Sequence, residues 1–509
     1  MKKIRSYFKE NTRILFIGKG IIVGTGAGII VSVFRLLIEK ISENIKSFYQ
    51  LANSEPFWLI PWALFSIVVA IFVGKLIKNE PNIKGSGIPQ VEGMLQEDIH
   101  YSWFSVLWKK FVGGVLSVGA GLFLGREGPS IQLGATIGQA VSEHWKAPTY
   151  EKKILISSGA SAGLAAAFNA PIAGLLFVIE EVHHGFSPLV WLTSFASAVT
   201  ANFISQYIFG LEPVLFLGKI LDIPLRFYGW LLLLGIFLGI MGWIYQKCTL
   251  ALPDLFKRVP FPIYFHGIIP FLLVIPIGYF AYDILGGGNQ LIVSLPKEAF
   301  SLKILVILFL VRFIFSMISY GASLPGGIFL PILTLGAILG ALFAKMVGIP
   351  DSYIKDFVIV AMAGYFTAIG KAPLTAIILV TEMVGSINHL MPLGLVSLVA
   401  YVTNDLLGGH PIYESMLERL VEKEKIEQLE RKTTIEFTVT AESLLDGLSV
   451  RDFPWPENCL LISIRRSGQE ILPHGDTIIK FGDILVLITE YSQKNNLRKL
   501  LQQNVYQKN

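Results

Sequence analysis

The chain has 509 residues, of which 53% are hydrophobic and only 16% charged, with a mean hydropathy of +0.60. A soluble protein of this length carries nearer a quarter charged residues, so the composition excludes an ordinary water-soluble protein and indicates a polytopic membrane protein. The net charge of +5 is modest, and basic cytoplasmic loops account for it better than a nucleic-acid partner does.

The chain opens on the basic run MKKIRSYFKENTR and enters an apolar segment over 14–37. This start lacks a small-residue cleavage site and its apolar stretch is long for a signal peptide, which predicts a retained first helix with a cytoplasmic N-terminus. Further apolar runs at 58–73, 230–244 and 304–314 predict membrane spans. Between them lie shorter pieces broken by Gly and Pro, at 85–95 and 327–347. These are too irregular for uniform spans of ~20 residues and predict half-helices whose ends point into the protein. Among them is Gly125-Arg126-Glu127-Gly128-Pro129. A charged residue at membrane depth costs roughly 2.5–3.5 kcal/mol or more, so Glu127 needs a function or a partner. Pro129 suits the first turn of a helix, and the free N–H groups of a helix start attract anions. An acid and a transported anion would compete for such a place. Cys248 and Cys459 lie in different regions and indicate neither a disulfide nor a thiolate metal site.

The chain repeats itself. LGATIG at 133–138 recurs as LGAILG at 335–340, an offset of 335 − 133 = 202. At the same offset GREGP at 125–129 falls on GIFLP at 327–331, and NAPIAGLLFVIEE at 169–181 falls on KAPLTAIILVTEM at 371–383. One register held without gaps indicates duplication, a common design in transporters, often with inverted topology and a midplane site.

Four segments are candidates to converge on an anion. Gly85-Ser86-Gly87-Ile88-Pro89 offers free backbone and a hydroxyl at a helix start; taken alone it also fits a simple N-cap. GREGP is the second. Gly326-Gly327-Ile328-Phe329-Leu330-Pro331 can cradle an anion with backbone N–H groups. Tyr413 can donate a phenolic hydrogen bond or serve as an interfacial belt residue. Together, in this order and spacing, the four resemble the CLC family of chloride channels and chloride/proton exchangers over about residues 12–424. The resemblance implies an inverted-repeat membrane fold of broken and tilted helices, and a homodimer with one pore per subunit. It implies that Ser86 and Tyr413 place hydroxyls on a central chloride, completed by the backbone N–H groups of Ile328 and Phe329. It further implies that Glu127 is the external gate, and that a serine at position 86 favours chloride.

Glu180-Glu181-Val182-His183-His184 has, at Glu180/His183 and Glu181/His184, the spacing of carboxylate-bridged di-iron ligands. A second such set should stand in the repeat, but Glu382 has Gly385 three residues on, so the metal reading fails. The family resemblance instead implies internal proton transfer for Glu181, with Glu180 a structural neighbour like its repeat mate Glu382. Arg126 either raises the local potential for anions or anchors structure. Lys109 and Lys110 are expected to pair with the buried Glu92. Gln90 stands where many relatives carry Glu.

After about residue 424 the composition changes. The expected domains are a transport domain over 1–424, with halves at about 12–210 and 220–424, a polar linker over 425–432, and a small cytoplasmic α/β domain over 433–509. Strands are expected at 435–439, 460–464, 477–481 and 484–489, with turns at 473–476 and 482–483 and a final amphipathic stretch at 496–502. This tail resembles an RCK C-terminal (TrkA-C-like) domain over about 433–503. Such domains dimerise and some bind cyclic dinucleotides, for which Arg465, Arg466 and His474 are candidates. The expected function is a chloride/proton antiporter of a bacterial plasma membrane, with chloride and protons as substrates, no cofactor or metal and no enzymatic activity. The alternatives are a passive chloride channel on the same fold, or a ligand sensor acting through the tail.

Overall fold

The computed structural model describes residues 2–183, 187–218, 222–298, 300–429, 432–439, 445–455, 459–466 and 469–490. Two compact units result, Met1–Leu417 and Glu418–Asn509. The expected linker is helical as far as Leu429, within the helix Ile412–Leu429.

The first helix runs over Lys2–Ser54. No proline interrupts it, and it ends where Glu55-Pro56 forces an extended residue. At ~1.5 Å per residue it is about 80 Å long, more than twice the roughly 30 Å hydrocarbon core. Gly20, Gly24 and Gly28 lie four residues apart on one face, against Thr193, Ser197 and Ala201 of the helix Pro188–Phe209, equally spaced. An added Cβ at Gly28 would stand 2.8 Å from the Cα of Ala201, so small residues set the close crossing. Among the described residues eight helices are long and apolar enough to cross a membrane.

The repeat offset is visible in the helices. Glu127–His144 matches Phe329–Met346 at both ends, Pro171 opens one helix and Pro373 its mate, and Pro188 and Leu390 open the next pair. Within each half the mated helices pack alike. Gly134 of Glu127–His144 lies on Gly159 of Thr149–Phe168, and Gly336 and Gly340 lie on Ala361 and Phe357 of Ile354–Gly370. The halves then exchange matching backbone contacts. Gly125 N donates to Gly327 O and Gly327 N donates to Gly125 O, both at 2.7 Å. Glu180 accepts from the backbone N of Leu374 (3.1 Å) and Thr375 (2.7 Å), while Glu382 accepts from Ile172 (3.1 Å) and Ala173 (2.8 Å). Each carboxylate caps the helix start of the other half, satisfying N–H groups that a helix leaves free. Such i-to-j and j-to-i exchange is the mark of a twofold relation.

The tail unit contains a four-stranded antiparallel sheet, ordered β1-β4-β2-β3, of β1 (Lys432–Thr438), β2 (Cys459–Arg466), β3 (Gln469–Ile471) and β4 (Ile484–Glu490). Val439, Leu445, Phe453, Ile464, Ile479, Leu485 and Leu487 form its core. The strand expected at 477–481 is not one. That segment bonds to 447–450 instead, through Val450 N to Thr477 O (3.0 Å) and Ile479 N to Leu448 O (2.9 Å). The third strand is Gln469–Ile471, which the sequence reading did not identify. The stretch expected at 496–502 lies outside the described residues.

Candidate ion-binding site

Three glycine loops meet where the halves cross. Gly85 and Gly87 have φ of +57° and +93°, a region that side chains with a Cβ rarely occupy. That geometry turns the chain into the short helix Ile88–Gln96 with Ser86 at the bend. Gly85 O accepts from Gly326 N at 3.0 Å, which ties this loop to the GGIF loop, itself bridged to Gly125. Gly128 opens the remaining side: a Cβ there would collide with Ser86 Oγ and stand 2.8 Å from Ser86 O. The hydroxyl of Ser86 and the first turn of Glu127–His144 are therefore in direct contact.

A buried cation holds one loop in each half. Lys110 Nζ donates to Ile83 O (3.0 Å) and Gly85 O (2.7 Å). Its repeat mate Arg312, 202 positions on, donates to Ile284 O (2.7 Å) and Gly286 O (2.8 Å) and also to Gly287 O. The expected pairing of Lys109 and Lys110 with Glu92 does not form. Lys109 reaches Ser105 at 2.8 Å, and the carbonyls turned toward Lys110 by the left-handed glycines outcompete a carboxylate on the following helix. The repeat register contained this signal, in a lysine and an arginine one offset apart.

Ser86 Oγ and the Tyr413 hydroxyl are buried and have no hydrogen-bond partner within the protein. A buried hydroxyl left unpaired costs about 1–3 kcal/mol, so two of them in one region suit an acceptor that binds there. Tyr413 lies in the first turn of Ile412–Leu429. Met416, one turn on, meets the Tyr320 hydroxyl at 3.2 Å, and a Cβ on Gly85 would stand 3.2 Å from that same hydroxyl. Tyr320 thus joins the tyrosine helix to the Ser86 loop, a link the sequence reading missed. Ile328 caps the helix Phe329–Met346, whose first N–H groups have no intrahelical partner. The Phe329 ring packs between Phe366 (4.4 Å), Phe168 (5.5 Å) and Phe177 (6.4 Å), an apolar cage that keeps this helix start dry.

Glu127 is fully buried, and no side chain hydrogen-bonds its carboxylate, whose nearest donors are backbone N–H groups at Leu330 and at Glu127 itself. Its Oε2 lies over the Cα of Gly125, where a Cβ would collide with it and stand 3.2 Å from Leu330 N. The carboxylate therefore sits beside the first turn of Phe329–Met346. Arg126 turns away from it and pairs with Glu39 at 2.7 Å.

Glu181 is buried in a wide π-helical turn, Val178–Val182, the kind of bulge that recurs at functional sites. It lies within electrostatic reach of Tyr413, as does Glu92. Glu180 faces the opposite half as a cap, and His183 Nε2 meets Ser157 Oγ at 2.6 Å. Among the described residues no group of three or more His, Cys, Asp or Glu could hold a metal; His184 lies outside them.

In the tail, Arg466 is committed to Asp483, with Nε to Oδ1 at 2.8 Å and Nη2 to Oδ2 at 2.7 Å. Burial alone would push the Asp483 carboxyl up, but the guanidinium and the Lys480 N–H hold it below the usual carboxylate range. His474 closes an exposed turn through Thr477. Arg465 is exposed on β2 in register with Glu470.

Comparison with known proteins places this architecture. The family described as voltage gated chloride channel matches residues 65–405, and the TrkA-C domain family matches residues 434–502. The crystal structure of a slow cyanobacterial Cl−/H+ antiporter is 31% identical, with a TM-score of 0.77, over 81% of this chain and 99% of that one. A CLC-type fluoride/proton antiporter is 23% identical (TM-score 0.66; 78% and 97% covered), and a eukaryotic CLC transporter 19% (0.67; 80% and 74%). These last two speak for the fold alone. With the twofold exchange of contacts and the three crossing loops in place, the chain belongs to the CLC, or voltage-gated chloride channel, family and carries a TrkA-C domain after its transport domain.

Proposed function

We propose that this protein is a secondary active chloride/proton antiporter. The observation that carries the reading is that the hydroxyls of Ser86 and Tyr413 are buried without a partner in the protein, while the Ser86 loop is tied to the Ile328–Phe329 loop through Gly326 N to Gly85 O at 3.0 Å and the buried Glu127 carboxylate lies beside Leu330 N. Chloride binds between these hydroxyls and the backbone N–H groups of Ile328 and Phe329, without a lysine or arginine on the ion. Neutral donors desolvate the anion yet let it leave, which throughput requires. Glu127 is the external gate. As a carboxylate it occupies an anion position beside Leu330 N; protonated, it swings away and admits chloride. Glu181 passes protons between the cytoplasm and the chloride path. The 31% identical cyanobacterial relative, described as a Cl−/H+ antiporter, supports exchange over passive conduction.

The protein works as a homodimer in a bacterial plasma membrane, with its N-terminus and tail cytoplasmic. It performs no chemical transformation and needs no cofactor. The tail regulates transport by binding a small ligand, of which a cyclic dinucleotide is the candidate. Arg465, Arg466 and His474 are the candidate residues for it, and Arg466 also holds Asp483 of its own domain.

Purified protein in liposomes under a chloride gradient, with chloride and pH recorded together, tests the reading. Uphill proton movement is expected, lost in Glu127→Gln and in Glu181→Gln. Chloride flux with no proton movement in the wild type would make the protein a passive channel and Glu181 a structural residue.

A further inference from the structure

Arg126 is one residue from Glu127, buried, and has an Nε with no hydrogen-bond partner. A guanidinium so placed would pair with the nearest carboxylate, and a fixed Arg126–Glu127 pair would hold the gate in one position. The structure has a different partner for it. Glu39 Oε1 on the first helix accepts from Arg126 Nη1 at 2.7 Å and from Arg35 Nε at 3.0 Å. Arg35 is fixed independently, by Asn169 Oδ1 at 3.3 Å and by the Phe209 ring at 3.9 Å from its guanidinium carbon. Glu39 is thus the shared anion between two cations, anchored on one side and drawing Arg126 aside on the other. Glu39 and Arg126 line a cavity of about 300 Å³, together with Ser42, Gly288, Asn289 and Leu330. Leu330 is the residue whose N–H lies beside the Glu127 carboxylate, so one residue of the cavity wall adjoins that carboxylate.

We propose that Glu39 is a positioning residue of the transport cycle: it withholds Arg126 from Glu127 and sets the charge at this mouth, leaving Glu127 free to take up a proton. The inference rests on the reading of Glu127 as the gate. It concerns a helix that lies outside the residues matched by the family, 65–405.

The other charged groups around Glu127 do not replace Glu39. Lys110 and Arg312 spend their donors on loop carbonyls, Lys46 pairs with Asp283 at 3.3 Å, and Glu43 is the remaining acid lining the cavity. Loss of the Glu39 charge would leave Arg126 and Arg35 acting on Glu127 uncompensated, and would favour its carboxylate.

The test is the rate of coupled exchange against bath pH, varied equally on both sides of the vesicles. In Glu39→Gln the midpoint is expected to move to lower pH by about 0.5–1 unit, a three- to tenfold slower rate on the alkaline flank. Glu39→Asp, which keeps the charge, should shift less. Arg35→Gln, which removes a cation, should shift the midpoint the opposite way, and serves if Glu39→Gln fails to fold. In a Glu127→Gln background, where chloride flux is read in place of coupled exchange, Glu39→Gln should leave the pH profile of that flux unchanged. A Glu39→Gln profile lowered in height with its midpoint unmoved would overturn the inference and make the contact purely structural. Proton coupling retained in Glu127→Gln alone would overturn the gate reading instead, whatever Glu39 does.

Discussion

The two halves of the transport domain share a scaffold and differ in chemistry. Both open an 18-residue helix from a glycine loop, at Glu127 and at Phe329. Both loops lie against a loop held by a buried cation, Lys110 in one half and Arg312 in the other. Both cap the other's helix, through Glu180 and Glu382. Yet the first half presents a carboxylate and the Ser86 hydroxyl, and the second presents a phenyl ring and, at the bend matching Ser86, glycines 286–288. Duplication supplied two equivalent helix starts. On the proposed function, ion handling comes from breaking that equivalence at a few side chains while the backbone contacts stay paired.

The largest expected effect breaks the symmetry where function lies. Glu127→Gln should reduce proton movement to background, whereas Phe329→Leu at its repeat mate should keep proton coupling with reduced throughput, both read by paired chloride and pH electrodes. A second test concerns the clamps. Lys110→Met leaves Ile83 O unpaired, since Gly85 O keeps Gly326 N, and Arg312→Met leaves Ile284 O and Gly286 O unpaired, at about 1–3 kcal/mol per group. Both should lower the apparent Tm of detergent-solubilised protein, Arg312→Met the more. Only Lys110→Met should also weaken chloride binding, because only its loop carries Ser86.

Smaller and more symmetric effects should follow at the exchanged caps. Glu180→Gln and Glu382→Gln each weaken a charge-assisted cap worth roughly 0.5–2 kcal/mol, and their Tm shifts should be close, that of Glu180→Gln slightly larger because Glu180 also accepts from Thr375 Oγ1 at 2.8 Å. A much larger shift at one of them would show that the twofold relation is not energetically even. The smallest effect on transport is expected in the tail. Asp483→Asn removes the carboxylate that Arg466 grips and should cost the tail about 1.5–3 kcal/mol, read as faster proteolysis of the tail with the transport domain intact. Because the folded carboxyl titrates below its unfolded value of ~3.9, its stabilisation is complete above that pH. It is lost as pH falls through the folded value, so wild-type and variant tails should converge in protease resistance under strongly acidic conditions.

Much of the transport domain was legible in the chain because its signals are local. Hydropathy marks spans, glycine and proline mark the broken helix starts, and a duplicated register needs only self-comparison. The same register held the Lys110–Arg312 relation in plain sight, although reading Lys110 against Glu92 obscured it. In the tail, alternation at 477–481 suggested a strand, but this short segment bonds to 447–450 instead and joins the sheet through no ladder.

The sequence alone determined the membrane class, the duplicated halves, the order of the three glycine loops and the residue types available to an anion and a proton. Only the tertiary structure decided which of those residues meet. Glu180 and Thr375 are 195 residues apart in the chain, and Arg126 and Glu39 are 87 apart. No periodicity or local propensity encodes such pairs. They exist because two halves fold back on each other about a twofold relation, and because the first helix brings Glu39 against Arg126 at the start of Glu127–His144.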